Sequence, residues 1–198
     1  MRVFVAGATG VIGVRLVPLL VKDGHTVAGM TRTATKVDAI RSLGAEPVVC
    51  DVFDTTALEA AITGFRPDVM VHQLTDLPDD PSRIREYGSA NNRVRREGTS
   101  NLLSAAQRAG VSRFVAQSVA WPLPGDGGAA VDYLERSVLA AGGVVVRYGQ
   151  FYGPGTYFPD SLPPPPRVQI DEAARRTIGA LQSPTGVIIV TDSGARST

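Results

Sequence analysis

The run Gly7-Ala8-Thr9-Gly10-Val11-Ile12-Gly13 spaces three glycines at intervals of three between an apolar segment, Arg2 to Ala6, and a helical pattern opening at Val11. At a first strand–helix junction such a run is expected to bind phosphate, the alternative being a purely structural turn. The first glycine turns the chain, the second lets the backbone approach a pyrophosphate, and the third lets helix and strand pack closely. Free backbone N–H groups and the positive end of the helix dipole then hold the anion. Residues 7–13 are therefore expected to cradle a dinucleotide.

A second position reports on which dinucleotide. An acid at the end of the second strand bonds a ribose 2′-OH and selects NAD. Here the stretch reads Gly29-Met30-Thr31-Arg32-Thr33, with an arginine and no acid. A carboxylate repels a 2′-phosphate, whereas a guanidinium grips it bidentately, so Arg32 favours NADP over NAD. The alternative is an Arg32 that is simply a solvated loop residue.

The elements that must position these groups follow from periodicity. Short apolar runs at 2–6, 26–30, 47–50, 68–72, 113–117 and 143–147 read as strands. Helical patterns at 11–21, 36–43, 55–62, 83–109 and 129–141 lie between them. Asp54 and Thr55 are polar caps for the third helix, and Gly44 closes the second. Continuous apolar strands are buried on both faces, and their alternation with helices predicts an α/β fold, a doubly wound parallel sheet. Residues 1–150 form the dinucleotide-binding Rossmann domain. Residues 151–198 form a reduced substrate-binding region packed on the same core. It contains an extended proline connector, Pro163 to Pro166, a helix from Asp171 to Leu181, a strand from Gly186 to Val190 and a frayed tail from Asp192 to Thr198.

The glycine spacing, together with Cys50-Asp51-Val52, His72-Gln73-Leu74-Thr75, Gly98 to Ala106, Gly110 to Val115, Ser118 and Arg147 to Gly155, resembles the short-chain dehydrogenase/reductase superfamily. The branch is the extended one of NAD-dependent epimerase/dehydratase-like proteins. The resemblance covers residues 1–158 and returns weakly at 168–181. It implies cofactor contacts from Asp51 and Val52 at the adenine, and from Gln73, Leu74 and Thr75 after the fourth strand. Asp51 alternatively only caps the following turn.

The superfamily carries a Tyr-x-x-x-Lys pair and a Ser or Thr at the end of strand five. Lysine lowers the tyrosine pKa, tyrosine transfers a proton to or from the substrate oxygen, and the hydroxyl polarises the carbonyl. Ser118 takes the last role. Aligning Glu135 with the acid that often follows the pair puts the pair's positions on Gly127 and Val131, and the last lysine of the chain is Lys36. Tyr133 is a catalytic acid or a core or interface aromatic. Tyr148 and Tyr152 are expected to face the substrate pocket, as proton donors or as packing residues. Arg147 is a buried structural arginine or a substrate anchor, and His72 is a packed histidine or a general base. Two segments, 121–130 and 156–168, look shortened beside the superfamily.

Composition closes off other classes. The 198 residues carry a net charge of +1, so no general attraction to nucleic acid or anionic membrane is expected. No stretch approaches a membrane span or a signal peptide, and a single cysteine fits a cytoplasmic protein. Cys50 reads as a small buried hydrophobe. No metal site is expected from two histidines and one cysteine. Arg83, Arg85, Arg93, Arg95 and Arg96 read as a solvated or dimer-contacting face, and a homodimer is a candidate assembly. Two functions stand open. One is an NADP-dependent oxidoreductase or epimerase/dehydratase-like enzyme acting on a small carbonyl or sugar-like substrate. The other is a non-catalytic NAD(P)-sensing protein that lost the Tyr–Lys pair.

Overall fold

Val3, Phe4, Val5 and Ala6 are fully buried, which puts strand β1 (Arg2–Ala6) inside the sheet rather than at its edge. A computed structural model describes residues 1–192 and 194–197, the last four as backbone alone. After β1 come α1 (Gly13–Lys22), β2 (Thr26–Thr31), α2 (Val37–Ser42), β3 (Glu46–Val49), α3 (Thr55–Phe65) and β4 (Val69–His72). Then follow α4 (Gly88–Arg93), α5 (Thr99–Arg108), β5 (Arg113–Val119), α6 (Gly125–Ala140) and β6 (Val144–Tyr148). The carboxyl-terminal part adds β7 (Gln150–Tyr152), β8 (Arg167–Gln169), α7 (Ile170–Ala180), β9 (Gly186–Thr191) and β10 (Gly194–Ser197).

The main sheet has the order β3-β2-β1-β4-β5-β6-β9-β10. Its first seven strands are parallel, and β10 alone runs antiparallel, against β9. This is the doubly wound Rossmann-like sheet that the alternation predicts. One core fills the face under α1 and α7 with Val5, Leu16, Leu20, Val146 and Tyr148. The other fills the face under α3, α5 and α6 with Phe4, Leu58, Leu102, Leu134 and Val145. The switch in strand order between β1 and β4 opens a crevice at their carboxyl ends, the place where such sheets bind ligands. Among the described residues no helix is long and apolar enough to cross a membrane.

Three expectations change. The helix anticipated over 83–109 starts only at Gly88. Pro81 instead opens a short 3₁₀ turn capped by Asp80, whose carboxylate accepts the Ser82 N–H at 2.9 Å. The tail anticipated as frayed contributes β10, which covers the otherwise open edge of β9; Ser193 and Thr198 lie outside the described residues. The proline connector docks: Gln150 N–H donates to the Pro166 carbonyl at 2.8 Å, and β7 pairs with β8 in a small parallel ribbon.

Candidate functional site

The phosphate loop leaves β1 at Gly7, whose φ of +94° belongs to the left-handed region. A Cβ there would stand 2.7 Å from the Gln73 carbonyl, so only glycine fits. At Gly13 a Cβ would stand 2.3 Å from the Gly7 carbonyl, and its absence lets α1 begin directly against the turn. Gly10 is open: a Cβ would meet only the Gly7 oxygen, at 3.4 Å. Among the described residues the N–H groups of Thr9, Val11 and Ile12 donate to no backbone carbonyl. Ala8 and Ile12 are buried and anchor the loop beneath. An open glycine with uncommitted amides at a helix N-terminus fits a pyrophosphate.

The ends of β2, β3 and β4 complete the rim. Arg32 is exposed, yet it is not free. Its Nη2 donates to Asp76 Oδ1 at 2.9 Å and its Nη1 to Oδ2 at 3.4 Å, and this bond raises the Arg32 pKa. Nothing in the order of residues marked Asp76, which lies 44 positions away. Asp51 caps its own turn, accepting the Phe53 N–H at 2.9 Å, while its neighbour Val52 is buried. After β4, the Leu74 carbonyl accepts from Gln117 Nε2 at 3.0 Å and Thr75 is exposed. Gln73 is buried beside the glycine turn, and its Oε1 has no hydrogen-bond partner.

The catalytic candidates do not converge. Ser118 Oγ donates to Glu135 Oε1 at 2.5 Å, and Glu135 is held in turn by Arg147, so the hydroxyl proton is committed to joining β5 to α6. Arg147 pairs with Ser118 in the β5–β6 register, and the carboxylate of Glu135 ties both strands to the helix above. Tyr133 sits on the outer side of α6, exposed, its hydroxyl 3.1 Å from Ser100 on α5. Tyr148 points to the opposite face of the sheet. It is buried, and its hydroxyl donates to Thr177 Oγ1 at 2.6 Å, because the Thr177 proton goes to the Ala173 carbonyl. Burial pushes the Tyr148 pKa up to about 12, the opposite of what a proton donor at neutral pH needs. The Tyr152 hydroxyl donates to Asp192 Oδ1, at 3.4 Å, just past the carboxyl end of β9. Ser118, Tyr133 and Tyr148 thus lie in three separate environments.

His72, the last residue of β4, is a packed histidine. Its Nδ1 accepts the Leu74 N–H at 3.2 Å, which leaves Nε2 to donate to Thr99 at 3.1 Å, and burial lowers its pKa to about 4. Cys50 is buried and its thiol pKa is pushed up to about 11, fitting the hydrophobe expected there. Over the cleft, residues 153–158 form a strap. Arg15 on α1 donates to the Pro154 carbonyl, and the Tyr157 hydroxyl donates to the Pro78 carbonyl in the loop after β4.

Comparisons with known proteins bear on the fold and the family. A family described as NAD(P)H-binding matches residues 7–135. A 3-diazoavenalumate denitrifying reductase from a Streptomyces species is 38% identical, covering 97% of this chain and 76% of that protein. The aligned span of 238 residues exceeds the chain's 198, so that relative carries residues inside the aligned region that this chain does not have. A 3-beta-hydroxysteroid dehydrogenase of Mycolicibacterium neoaurum is 33% identical over 58% of this chain, but over only 31% of its own length. Among solved structures, a UDP-glucose 4-epimerase of Thermus thermophilus in complex with NAD superposes with a TM-score of 0.78 at 22% identity, covering 100% of this chain and 79% of that one. The Thermotoga maritima UDP-glucose 4-epimerase superposes at 0.80 with 17% identity, covering 100% and 79%. The chain belongs to the NAD(P)H-binding family, as an extended short-chain-dehydrogenase-like Rossmann protein.

Proposed function

We propose that this protein is an NADPH-dependent reductase whose acceptor takes up a hydride without a proton from a tyrosine. One observation carries the reading: the phosphate cradle is complete, while the positions of the Tyr–Lys pair hold Gly127 and Val131 and Ser118, Tyr133 and Tyr148 are engaged apart from one another. When bound, the reduced nicotinamide supplies a hydride. A carbonyl acceptor needs a proton as well, to neutralise the alkoxide formed. A diazonium-type acceptor does not. Hydride added to R–N≡N⁺ gives R–N=N–H, which expels N₂ and leaves R–H, so atoms and charge balance with no proton from the protein. The reductase relative named for removing a diazo group supports that acceptor class.

In this reading residues 7–13 hold the pyrophosphate, with Asp51, Val52, Gln73, Leu74 and Thr75 around the nucleosides. Arg32 meets the 2′-phosphate by exchanging Asp76 for it. The strap at 153–158 keeps water from the acceptor. A homodimer is part of the reading, through the outer faces of α5 and α6, where Leu103, Val131 and Leu139 stay only partly buried.

The test is NADPH oxidation with an arenediazonium salt beside a panel of aldehydes and ketones. One N₂ released per NADPH consumed, above the uncatalysed rate, is the expected result. Cofactor binding without turnover on any acceptor would overturn the reductase and leave the cofactor-sensing module. Absence of binding to NADPH and NADH would overturn both.

A further inference from the structure

From Gly88 to Arg108 the chain is one continuous helical rod that widens to a π turn over Val94–Gly98, a feature that often marks functional positions. One face of the rod looks onto the cleft. Asn91 Oδ1 accepts the Asp76 N–H at 3.0 Å from the loop after β4. Asn92 Nδ2 donates to Asp126 in the first turn of α6 at 2.8 Å, and Thr99 contacts His72 at the end of β4. Arg95 stands one turn after the asparagines and one turn before Thr99, on this same face.

Its neighbours are neutralised and it is not. Arg93 pairs with Glu97 at 2.7 Å and Arg96 with Asp126 at 2.6 Å. Arg95 is half-buried, and among the described residues its one polar contact is a long one, Nη1 to Asn92 Oδ1 at 3.4 Å. Burial lowers its pKa, with no carboxylate to offset the cost. Nε and Nη2 remain available as a fork. The same Asn92 oxygen lies 4.0 Å from where a Cβ on Gly127 would stand, the position that the superfamily resemblance assigns to tyrosine. A guanidinium therefore borders the space left by the missing pair.

We propose that Arg95 anchors the substrate of this cleft and that the substrate carries a carboxylate, received by the guanidinium fork beside Gly127. The inference rests on the reductase reading and narrows its substrate to organic acids. A half-desolvated guanidinium with no carboxylate partner is what a bidentate carboxylate site requires.

The test uses the whole chain, first titrated with NADP⁺ and then, saturated, with benzoate and 4-hydroxycinnamate and with the neutral amide of each. The expected result is at least one acid binding about ten-fold tighter than its amide, the loss corresponding to one charge-assisted pair. Arg95→Gln removes that preference, Arg95→Lys keeps part of it, and neither moves the NADP⁺ affinity. Equal binding of acid and amide, no binding of either acid, or an unchanged preference in Arg95→Gln would overturn the proposal. So would a loss of NADP⁺ affinity in Arg95→Gln, which would assign the fork to the dinucleotide instead. Failure of the wild-type protein to bind NADP⁺ sinks the reductase reading first, and is seen before any acid is added.

Discussion

Arg147 at the end of β6 grips Glu135 on α6 through both carboxylate oxygens, with Nε on Oε1 at 2.9 Å and Nη2 on Oε2. Ser118 adds a third donor, so one buried carboxylate fastens two neighbouring strands to the helix above them. In the superfamily the helix at this point also carries the tyrosine and lysine. Here the fastening stands without them.

Glu135→Gln leaves Arg147 without its counter-charge and puts amide hydrogens against donors. Arg147 keeps partial exposure, which moderates the cost to about 2 kcal/mol. For a chain of this size that lowers Tm by roughly 4–8 °C, readable by calorimetry. An unchanged Tm would show that the fork contributes nothing net.

Tyr148→Phe separates a packing tyrosine from a proton donor. Losing the hydroxyl leaves Thr177 and Gln73 Nε2 short of a partner in the core, a cost of about 1–2 kcal/mol. Turnover per folded molecule stays at the wild-type level. A fall of about a hundred-fold or more at unchanged stability would return Tyr148 to the catalytic site.

On the proposed NADPH reading, Arg32 and its partner Asp76 decide between the cofactors. Arg32→Ala weakens NADP(H) roughly 10- to 100-fold while NAD(H) hardly changes, because only the former loses bonds to a charged group. Asp76→Asn releases Arg32 and tightens NADP(H) alone. Isothermal titration reads both, and an equal loss of the two cofactors in Arg32→Ala would refute the assignment.

Acid sensitivity follows from His72. Its folded pKa of about 4 lies below the ordinary 6.5, so between those values the unfolded chain holds a proton that the folded one does not. Stability therefore falls as pH drops from about 6.5 towards 4, by on the order of 3 kcal/mol, and this contribution levels off below about 4. Urea unfolding at about pH 7.5, 5.5 and 4.5 checks it. His72→Gln, whatever it costs at neutral pH, removes this part of the slope; an identical slope in both proteins would refute it.

The order of residues already determined the parallel sheet and the glycine turn after β1. Strand burial, helix spacing and glycine turns are local, each set within a few residues by backbone sterics and apolar periodicity. Gly7 and Gly13 could be assigned their turning and packing tasks because those tasks concern the backbone around them. The lack of any lysine after Lys36 is a fact of composition.

Only the tertiary structure decided what each polar side chain holds. Tyr148 and Arg147 are adjacent in the chain, yet a strand sends consecutive side chains to opposite faces, so one enters the core under α7 while the other meets Glu135. Asp76 reaches Arg32, and Ser118 reaches Glu135, because register and crossover bring distant segments together. Arg95 looked like one arginine among five on a solvated or dimer-contacting face; the π turn and the packing of the rod against β4 and α6 single it out. A side chain's partner depends on which strand lies beside its own, and pairwise spacing along the chain carries no record of that.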